Sequence, residues 1–184
     1  MKTNTRRKIT GDARRHRRKK WLYTKKFILR IQPLVRIGFD DPDKKLTETQ
    51  VFNRMMKANA ELLFGVSPKF HLNFCKMIVS LGSLPVPFDT SVRYISPRLV
   101  LVEWKNENPD LAAKKTFYVF KYNATKKTAH IWSVESYEEV EGMDIKFPEE
   151  EYGDEIHFWL SAAIKDKKMR SNSVYVGQIL PLSN

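Results

Sequence analysis

The residues best suited to chemistry in this 184-residue chain are basic and lie near its N-terminus. Residues 1–30 hold thirteen Lys or Arg and one acid, Asp12, which gives +12, the formal charge of the whole chain. Residues 31–184 therefore carry no net charge. Basic side chains bind phosphates and carboxylates, and each phosphate that they neutralise releases condensed counterions. The pattern predicts a cationic arm that contacts an anionic partner, and a neutral body with a different role.

The predicted contact residues of the arm are basic side chains followed by two aromatic rings. They are Arg6, Arg7, Lys8, Arg14, Arg15, Arg17, Arg18, Lys19, Lys20, Trp21 and Tyr23. The rings could stack on exposed bases or anchor the arm to the body. A solubilising tail without a specific partner is the alternative interpretation.

A second charged stretch has the opposite sign. Between Glu135 and Glu155 there are ten acids and one base, Lys146, so this stretch carries −9. We expect it either to receive the arm of its own or a neighbouring subunit, or to form a solvated surface. The carboxylates that would receive the arm are Glu138, Glu139, Glu149, Glu150 and Glu151.

No residue pattern indicates an enzyme, a metal site or a cofactor. The four histidines lack the spacing of paired metal ligands, and the seven glycines form no phosphate-binding loop. Cys75, the only cysteine, falls in a predicted apolar strand and is expected to be inert. We therefore predict a non-enzymatic protein without cofactors, and an enzyme with an inconspicuous site is the weakest alternative.

The elements that position these residues begin with two helices. Apolar residues at helical spacing predict a first helix over Phe27–Val35, and Pro33 predicts that it is short or kinked. Gly38 suits its C-terminal end. Thr47 and Gln50 fit a capping box that starts a second helix with one apolar stripe.

The period of the apolar residues changes from 3.6 to 2 at Lys69, which predicts a long, bulged strand that reaches Val79. Six short strands with turn-rich loops follow: Leu99–Trp104, Thr116–Tyr122, Ala129–Val134, Asp144–Phe147, Glu155–Ile164 and Ser173–Ile179. A spacing of about ten residues is typical of a β-sandwich. We expect Trp104, Trp132 and Trp159 in the core, each on an alternating strand that buries one face.

Four of these segments resemble strands of a fibronectin type III-like domain. Leu99-Val-Leu-Val-Glu-Trp104 and Phe117-Tyr-Val-Phe-Lys-Tyr122 resemble its second and third strands, the second being closed by a core tryptophan. Ile156-His-Phe-Trp-Leu-Ser-Ala162 and Ser171-Asn-Ser-Val-Tyr175 resemble its last two strands. The resemblance implies an immunoglobulin-like sandwich.

A second resemblance spans most of the chain. Leu34-Val-Arg-Ile-Gly-Phe39, Gly82-Ser-Leu-Pro85 and Ser171-Asn-Ser-Val-Tyr-Val-Gly177 are similar, in this order, to an uncharacterised family of Bacteroidota proteins. Members of that family also occur in mobile elements. The resemblance implies such a setting and no particular activity.

These observations predict an α+β fold: a basic N-terminal arm and two helices, then a mostly antiparallel immunoglobulin or fibronectin III-like β-sandwich. We expect the arm at residues 1–26, a helical segment with a long strand at 27–91 and the sandwich at 92–184.

The predicted function is that of a non-enzymatic structural or interaction protein. Its basic arm would incorporate it into a larger assembly, such as a virion-type or mobile-element particle. The alternative is a nucleic-acid-binding protein whose arm contacts phosphates independently of sequence. We expect other protein subunits and nucleic acid as partners, an oligomeric state in context, and no membrane, because no run of about 18 apolar residues exists. The expected location is the cytoplasm or such a particle.

Overall fold

The protein is described by a computed structural model that covers residues 11–40, 44–105, 115–136, 140–146, 148–151, 153–164 and 169–180. The chain begins with two helices, α1 (Gly11–Phe39) and α2 (Glu48–Ala58). A hairpin and a 3-10 turn come next: β1 (Leu63–Val66), β2 (Lys69–Leu72) and the turn Phe74–Lys76. The described strands that follow are β3 (Phe88–Ser96), β4 (Leu99–Lys105), β5 (Lys115–Asn123), β6 (Thr128–Ser136), β7 (Val140–Lys146), β8 (Ile156–Ile164), β9 (Met169–Arg170) and β10 (Val174–Ile179). A second 3-10 turn, Glu149–Glu151, lies between β7 and β8.

Helix α1 is one continuous element of 29 residues, so the prediction of a short first helix is wrong. Pro33 lies inside the helix on its exposed side. A proline within a helix costs about 3 kcal/mol, because its ring displaces a hydrogen bond and crowds the preceding turn. Buried Ile28, Ile31 and Val35, on the opposite side, hold the helix together across this position.

Gly38 is required for close packing, and α1 ends one residue beyond it. A Cβ on Gly38 would lie 2.1 Å from the carbonyl oxygen of Val79, far inside van der Waals contact. The backbone of Leu81 also donates a hydrogen bond to the Gly38 carbonyl, at 2.9 Å. Glycine at this position therefore lets the end of α1 contact the segment that leads into the sandwich.

Helix α2 begins as its sequence predicted. The Thr47 hydroxyl accepts a hydrogen bond from the Gln50 backbone N–H, and the Gln50 side chain accepts one from the Thr47 backbone N–H, which completes the capping box. Val51 and Met55 are buried against α1 and the sheet beyond it.

The predicted long strand from Lys69 to Val79 is wrong. Strand β2 ends at Leu72, and the change in parity near Cys75 marks the 3-10 turn rather than a bulge. Beyond that turn, the side chain of Asn59 accepts a hydrogen bond from the Ile78 N–H and donates one to its carbonyl, both at 2.9 Å. A buried side-chain amide thus pairs backbone groups that a strand would have paired in a sheet.

Two antiparallel sheets form the sandwich. One has the order β3–β4–β7, and the other has the order β10–β8–β5–β6, with β9 paired to β8. The α+β class and the fibronectin III-like sandwich predicted from the sequence are confirmed. Strand β3 was not among the predicted strands, although it pairs along most of its length with β4.

The five-stranded sheet is covered on both faces at its central strands, so the protein has three layers. Its inner face packs on the three-stranded sheet, where Trp104 is buried as predicted. Its outer face carries Phe120, Tyr122 and Trp159, which pack under α1 and α2. The expectation of a single buried face is therefore wrong for β8, the strand of Trp159, and the neighbouring β5 is likewise buried on both faces. Both strands lie in the middle of this sheet, and nearly every residue of each is buried.

Candidate functional site

The N-terminal end of α1 projects beyond the body of the protein. Ala13 and Arg17 lie five helical turns before buried Ile31 and Val35, and therefore on the same side of the helix. Both are nevertheless exposed. Near this end the ring of His16 lies 5.4 Å from the ring of Phe70 in β2. The first ten residues of α1 span about 15 Å and carry most of the described cations of the predicted arm.

Basic side chains surround this end of the helix. Arg14, Arg15, Arg17, Arg18 and Lys19 are exposed, and Lys20 is partly buried. At about 100° per residue these six positions point to all sides of α1. Among the described residues none of the six forms an ion pair. Arg6, Arg7 and Lys8 lie outside the described residues.

The two aromatic residues of the predicted arm are about half exposed. The ammonium of Lys25 lies 5.3 Å from the ring centroid of Trp21, within cation–π range. The ring of Tyr23 lies 6.0 Å from that of Phe70, so the hairpin supports it while much of it remains accessible. Tyr23 thus contacts the body and keeps an accessible ring, and stacking of that ring on a base stays a prediction.

A cationic and aromatic cavity of about 200 Å³ opens beside Tyr23, where α1 meets the outer face of the sheet. Its walls include Tyr23, Lys26, Arg30, Phe74, Tyr122 and Lys127. Burial raises the pKa of Tyr122, and a hydrogen bond from Arg30 together with its charge opposes that rise. The walls of this cavity, which we call the α1 cavity, come from three separate parts of the chain, so no sequence pattern predicted it.

The acidic stretch is engaged within its own part of the fold. Glu151 is buried and forms an ion pair with Lys121, and Glu149 forms one with Arg98. Asp154 accepts a hydrogen bond from Asn123 at 2.7 Å and lies 3.4 Å from the Lys126 ammonium. The carboxylate of Glu150 is exposed, and Glu138 and Glu139 lie outside the described residues.

No ion pair joins α1 to Glu149, Glu150 or Glu151 in the described ranges. The arm and its predicted acidic receptor are therefore not brought together within one chain by these residues. Reception of a neighbouring subunit's arm stays a prediction, and the carboxylate available for it in this turn is that of Glu150.

Tyr175 lies between Cys75 and His157 and interacts with both side chains. Cys75 is exposed in the 3-10 turn, so its predicted place in an apolar strand is wrong. The hydroxyl of Tyr175 lies 2.9 Å from Nδ1 of His157, and Glu155 lies 2.9 Å from Nε2 of the same ring. Burial lowers the pKa of His157, which the hydrogen bond and charge of Glu155 oppose. Burial also raises the pKa of Tyr175, and Cys75 adds to that rise. This network satisfies a buried imidazole whose ring stacks on Phe74 at 4.0 Å.

Over the described ranges, no three His, Cys, Asp or Glu side chains converge in a way that could hold a metal ion. Within the same ranges, no helix has both the length and the hydropathy that crossing a bilayer requires.

The family model described as "Family of unknown function (DUF6266)" matches residues 2–177. Among solved structures, the chain is similar to the fn3 domain of human collagen alpha-1(XX) chain, with 16% identity and a TM-score of 0.39 over 55% of this chain and 90% of that one. It is also similar to the chicken CNTN1 FN1-FN3 domains, with 16% identity and a TM-score of 0.42 over 55% of this chain and 33% of that one. No curated protein matches the chain.

Proposed function

The chain belongs to this family of unknown function, and we propose that it is a non-enzymatic binding protein whose projecting end of α1 contacts the phosphates of nucleic acid without reading sequence. The observation that carries the proposal is the placement of Arg14, Arg15, Arg17 and Arg18. They surround a helix end that extends past the body, and no described carboxylate neutralises them. Each phosphate that such a group contacts releases condensed counterions, which favours binding to any sequence.

The acidic stretch supports the same choice of partner. Two of its predicted arm-receiving carboxylates, those of Glu149 and Glu151, already have basic partners within the chain. The cations of α1 are therefore left for an anion that comes from elsewhere, and nucleic acid offers the densest array of such anions.

The test replaces Arg14, Arg15, Arg17 and Arg18 together by Gln, which keeps good helix propensity and removes four charges. Binding to a labelled duplex is measured by fluorescence anisotropy over a range of salt concentrations. The log–log salt slope should become less steep by up to about 3.6, at about 0.9 per lost phosphate contact. Substitution is the cleaner design, because deleting residues 1–26 would cut α1 in mid-helix.

The matched control loses the same charge from the body, by replacing Lys45, Lys57, Lys69 and Lys146 with Gln. All four are exposed, and none forms an ion pair with another described residue. The control should keep most of the wild-type affinity. Equal affinities for the two variants would reject the projecting end of α1 as the contact surface.

A second candidate function is incorporation into a larger assembly, and exposed apolar side chains favour it. Leu22 and Leu29, seven residues apart on the outward side of α1, are about half exposed, as is Phe64 on the hairpin. Val66 is more exposed still. An apolar surface next to a cationic one suits docking between protein subunits. In this proposal the subunits form a virion-type or mobile-element particle, or a cytoplasmic assembly, in a bacterium of the Bacteroidota.

Light scattering at low and high salt tests this second candidate. Replacing Leu22 and Leu29 by Gln should lower the mass of an oligomer, whereas Ile95→Gln, at a similarly exposed strand position, should not. Glu149→Gln with Glu150→Gln should weaken an arm-mediated contact at low salt, while Glu151 is left intact because it is buried. A monomer under all conditions would remove self-assembly and leave a foreign partner.

A further inference from the structure

We propose that the α1 cavity holds an unstacked base and its neighbouring phosphate, and that the nucleic acid bound by this protein is single-stranded. The inference rests on the proposed function and specifies its ligand. It is carried by three features of the cavity: its uncompensated cations, its accessible ring and its position on the same helix face as the arm.

The cations of the cavity lack acidic neighbours. Lys26, Arg30 and Lys127 reach it from α1 and from the turn between β5 and β6, and no described acid lines it. In the described ranges neither Lys26 nor Lys127 forms an ion pair. Arg30 lines the same cavity beside Tyr122, close enough for its charge to oppose the rise that burial causes in the pKa of that phenol. Three positive groups around one concavity favour a phosphate in it.

The size and rings of the cavity favour one flat group. Its volume of about 200 Å³ is below that of a drug-sized pocket, which begins at roughly 300 Å³. Tyr23 is about half exposed at its edge, with Phe74 and Tyr122 in its walls. Bases of a duplex are paired and stacked, so their faces cannot reach such a ring, whereas unpaired bases stack on aromatic side chains.

The cavity continues the cationic surface of the arm. Arg15, Lys19, Tyr23, Lys26 and Arg30 follow one another at intervals of three or four residues, and therefore share one face of α1. This stripe extends over about 22 Å of helix. A single strand of nucleic acid that follows this stripe would meet a positive side chain at each helical turn, except at Tyr23, where it would meet an aromatic ring. Proteins that bind single strands without sequence preference combine cations and rings in this way.

The experiment compares a thymidine homopolymer with a duplex of equal length, both measured by anisotropy against the full chain. One variant combines Lys26→Gln with Lys127→Asn, since Lys127 has a φ of 60° that Asn tolerates. Losing two contacts should make the homopolymer salt slope less steep by about 1.4 and weaken binding roughly 10- to 30-fold at 0.1 M salt. The control, Lys45→Gln with Lys146→Gln, loses the same charge from exposed positions outside the cavity and the arm, and should change affinity far less.

The ring is tested with Tyr23→Ala and its conservative counterpart Tyr23→Phe. Loss of one stacked base weakens homopolymer binding about 5- to 150-fold, while duplex binding should not change. Tyr23→Phe keeps the ring and should restore homopolymer affinity. Thermal unfolding of each variant shows whether the fold is intact.

The outcomes separate the two proposals. If the four-arginine variant loses binding while the cavity and Tyr23 variants behave like their controls, the proposed function stands and the cavity is not the site. If the wild type binds neither probe, the proposed function itself fails. If polyglutamate competes, and its binding depends on Lys26 and Lys127 but not on the Tyr23 ring, the cavity takes an acidic polypeptide and the single-strand proposal is overturned.

Discussion

Two regions of this chain carry high charge of opposite sign, and the fold treats them differently. Between Glu149 and Glu155, the described carboxylates other than that of Glu150 contact basic or polar groups of the sandwich: Glu151 contacts Lys121, Glu149 contacts Arg98, Asp154 contacts Asn123 and Lys126, and Glu155 contacts His157. The basic end of α1 has no such partners among the described residues. Formal charge alone therefore does not show which groups are available for a partner.

The difference separates a structural use of charge from a binding use. Breaking a buried ion pair destabilises the fold, because removing either member leaves a buried charge without its partner. Exposed and unpaired cations contribute little to folding but govern association with anions. Substitutions in the acidic region should therefore change stability, and substitutions in the basic region should change affinity.

The largest effect is expected at the buried pair. Glu151→Gln removes the carboxylate that pairs with the ammonium of Lys121, and the side chains of this pair are 6% and 1% exposed. We expect the free energy of unfolding to fall by about 3–5 kcal/mol, measured by urea denaturation. The exposed neighbour provides the control, since Glu150→Gln should change stability by less than about 0.5 kcal/mol. Equal losses for the two variants would mean that the ion pair does not stabilise the fold.

A smaller effect is expected from His157 as pH falls. Its pKa is lowered in the folded state, so the unfolded chain binds the proton more readily. The free energy of unfolding should therefore decrease as pH drops below about 6.5, by at most about 1.4 kcal/mol per pH unit for one proton. His157→Gln should flatten this dependence in urea titrations between pH 5 and 8, roughly the range in which histidines titrate. His71→Gln, at an exposed position, should leave it unchanged, and an unaltered slope in the His157 variant would contradict the assignment.

The surface ion pair of the acidic turn should matter less. Arg98 and Glu149 are 61% and 75% exposed, so solvent and salt screen their attraction. Glu149→Gln should lower the free energy of unfolding by less than about 1 kcal/mol, and less still at high salt. A larger loss of unfolding free energy would mean that Glu149, like Glu151, is needed for the stability of the fold.

The smallest effect on stability is expected at the basic end of α1. Replacing Arg14, Arg15, Arg17 and Arg18 by Gln should change the free energy of unfolding by no more than about 0.5 kcal/mol, because these side chains are exposed and unpaired within the described chain. The measurement is the same urea titration that is used for Glu151→Gln. A marked loss of unfolding free energy in this variant would mean that the basic region also stabilises the fold. The contrast between the basic and acidic regions would then not hold.

Local signals in the sequence were enough for some elements. Helix α2 was predicted from a capping box and an apolar stripe, both of which depend on residues within a few positions of each other. Strands β4, β5 and β8 were predicted from their dense apolar and aromatic residues. In each case the local preference and the final environment agree.

Other elements depend on contacts distant in sequence. Strand β3 alternates polar and apolar residues only over Val92 and Tyr94, and its pairing with β4 decides its conformation. The projecting part of α1 has no apolar face, so it extends a helix that buried residues further along already hold. The charge of the arm was visible in the sequence, but its helical form was not.

The α1 cavity could not be inferred from spacing. Lys26 and Lys127 are a hundred residues apart and are joined by the packing of α1 on the sheet. The pairing of Lys121 with Glu151 has the same origin, across thirty residues. Interactions of this kind become visible once the layers of the fold are known.

The doubly covered sheet also bears on how the protein is made. Helix α1 is complete at Phe39, but Trp159, part of the surface that covers it, is added 120 residues later. At about 5–20 residues per second, the apolar side of α1 waits roughly 6–24 s on the ribosome for its partner. During that interval chaperones or the ribosome surface must shield the apolar side of α1. A nascent chain halted within β8 would keep that apolar surface exposed. The apolar side of α1 is therefore fully covered only late in synthesis, and partly folded chains with exposed apolar surface are the ones that aggregate.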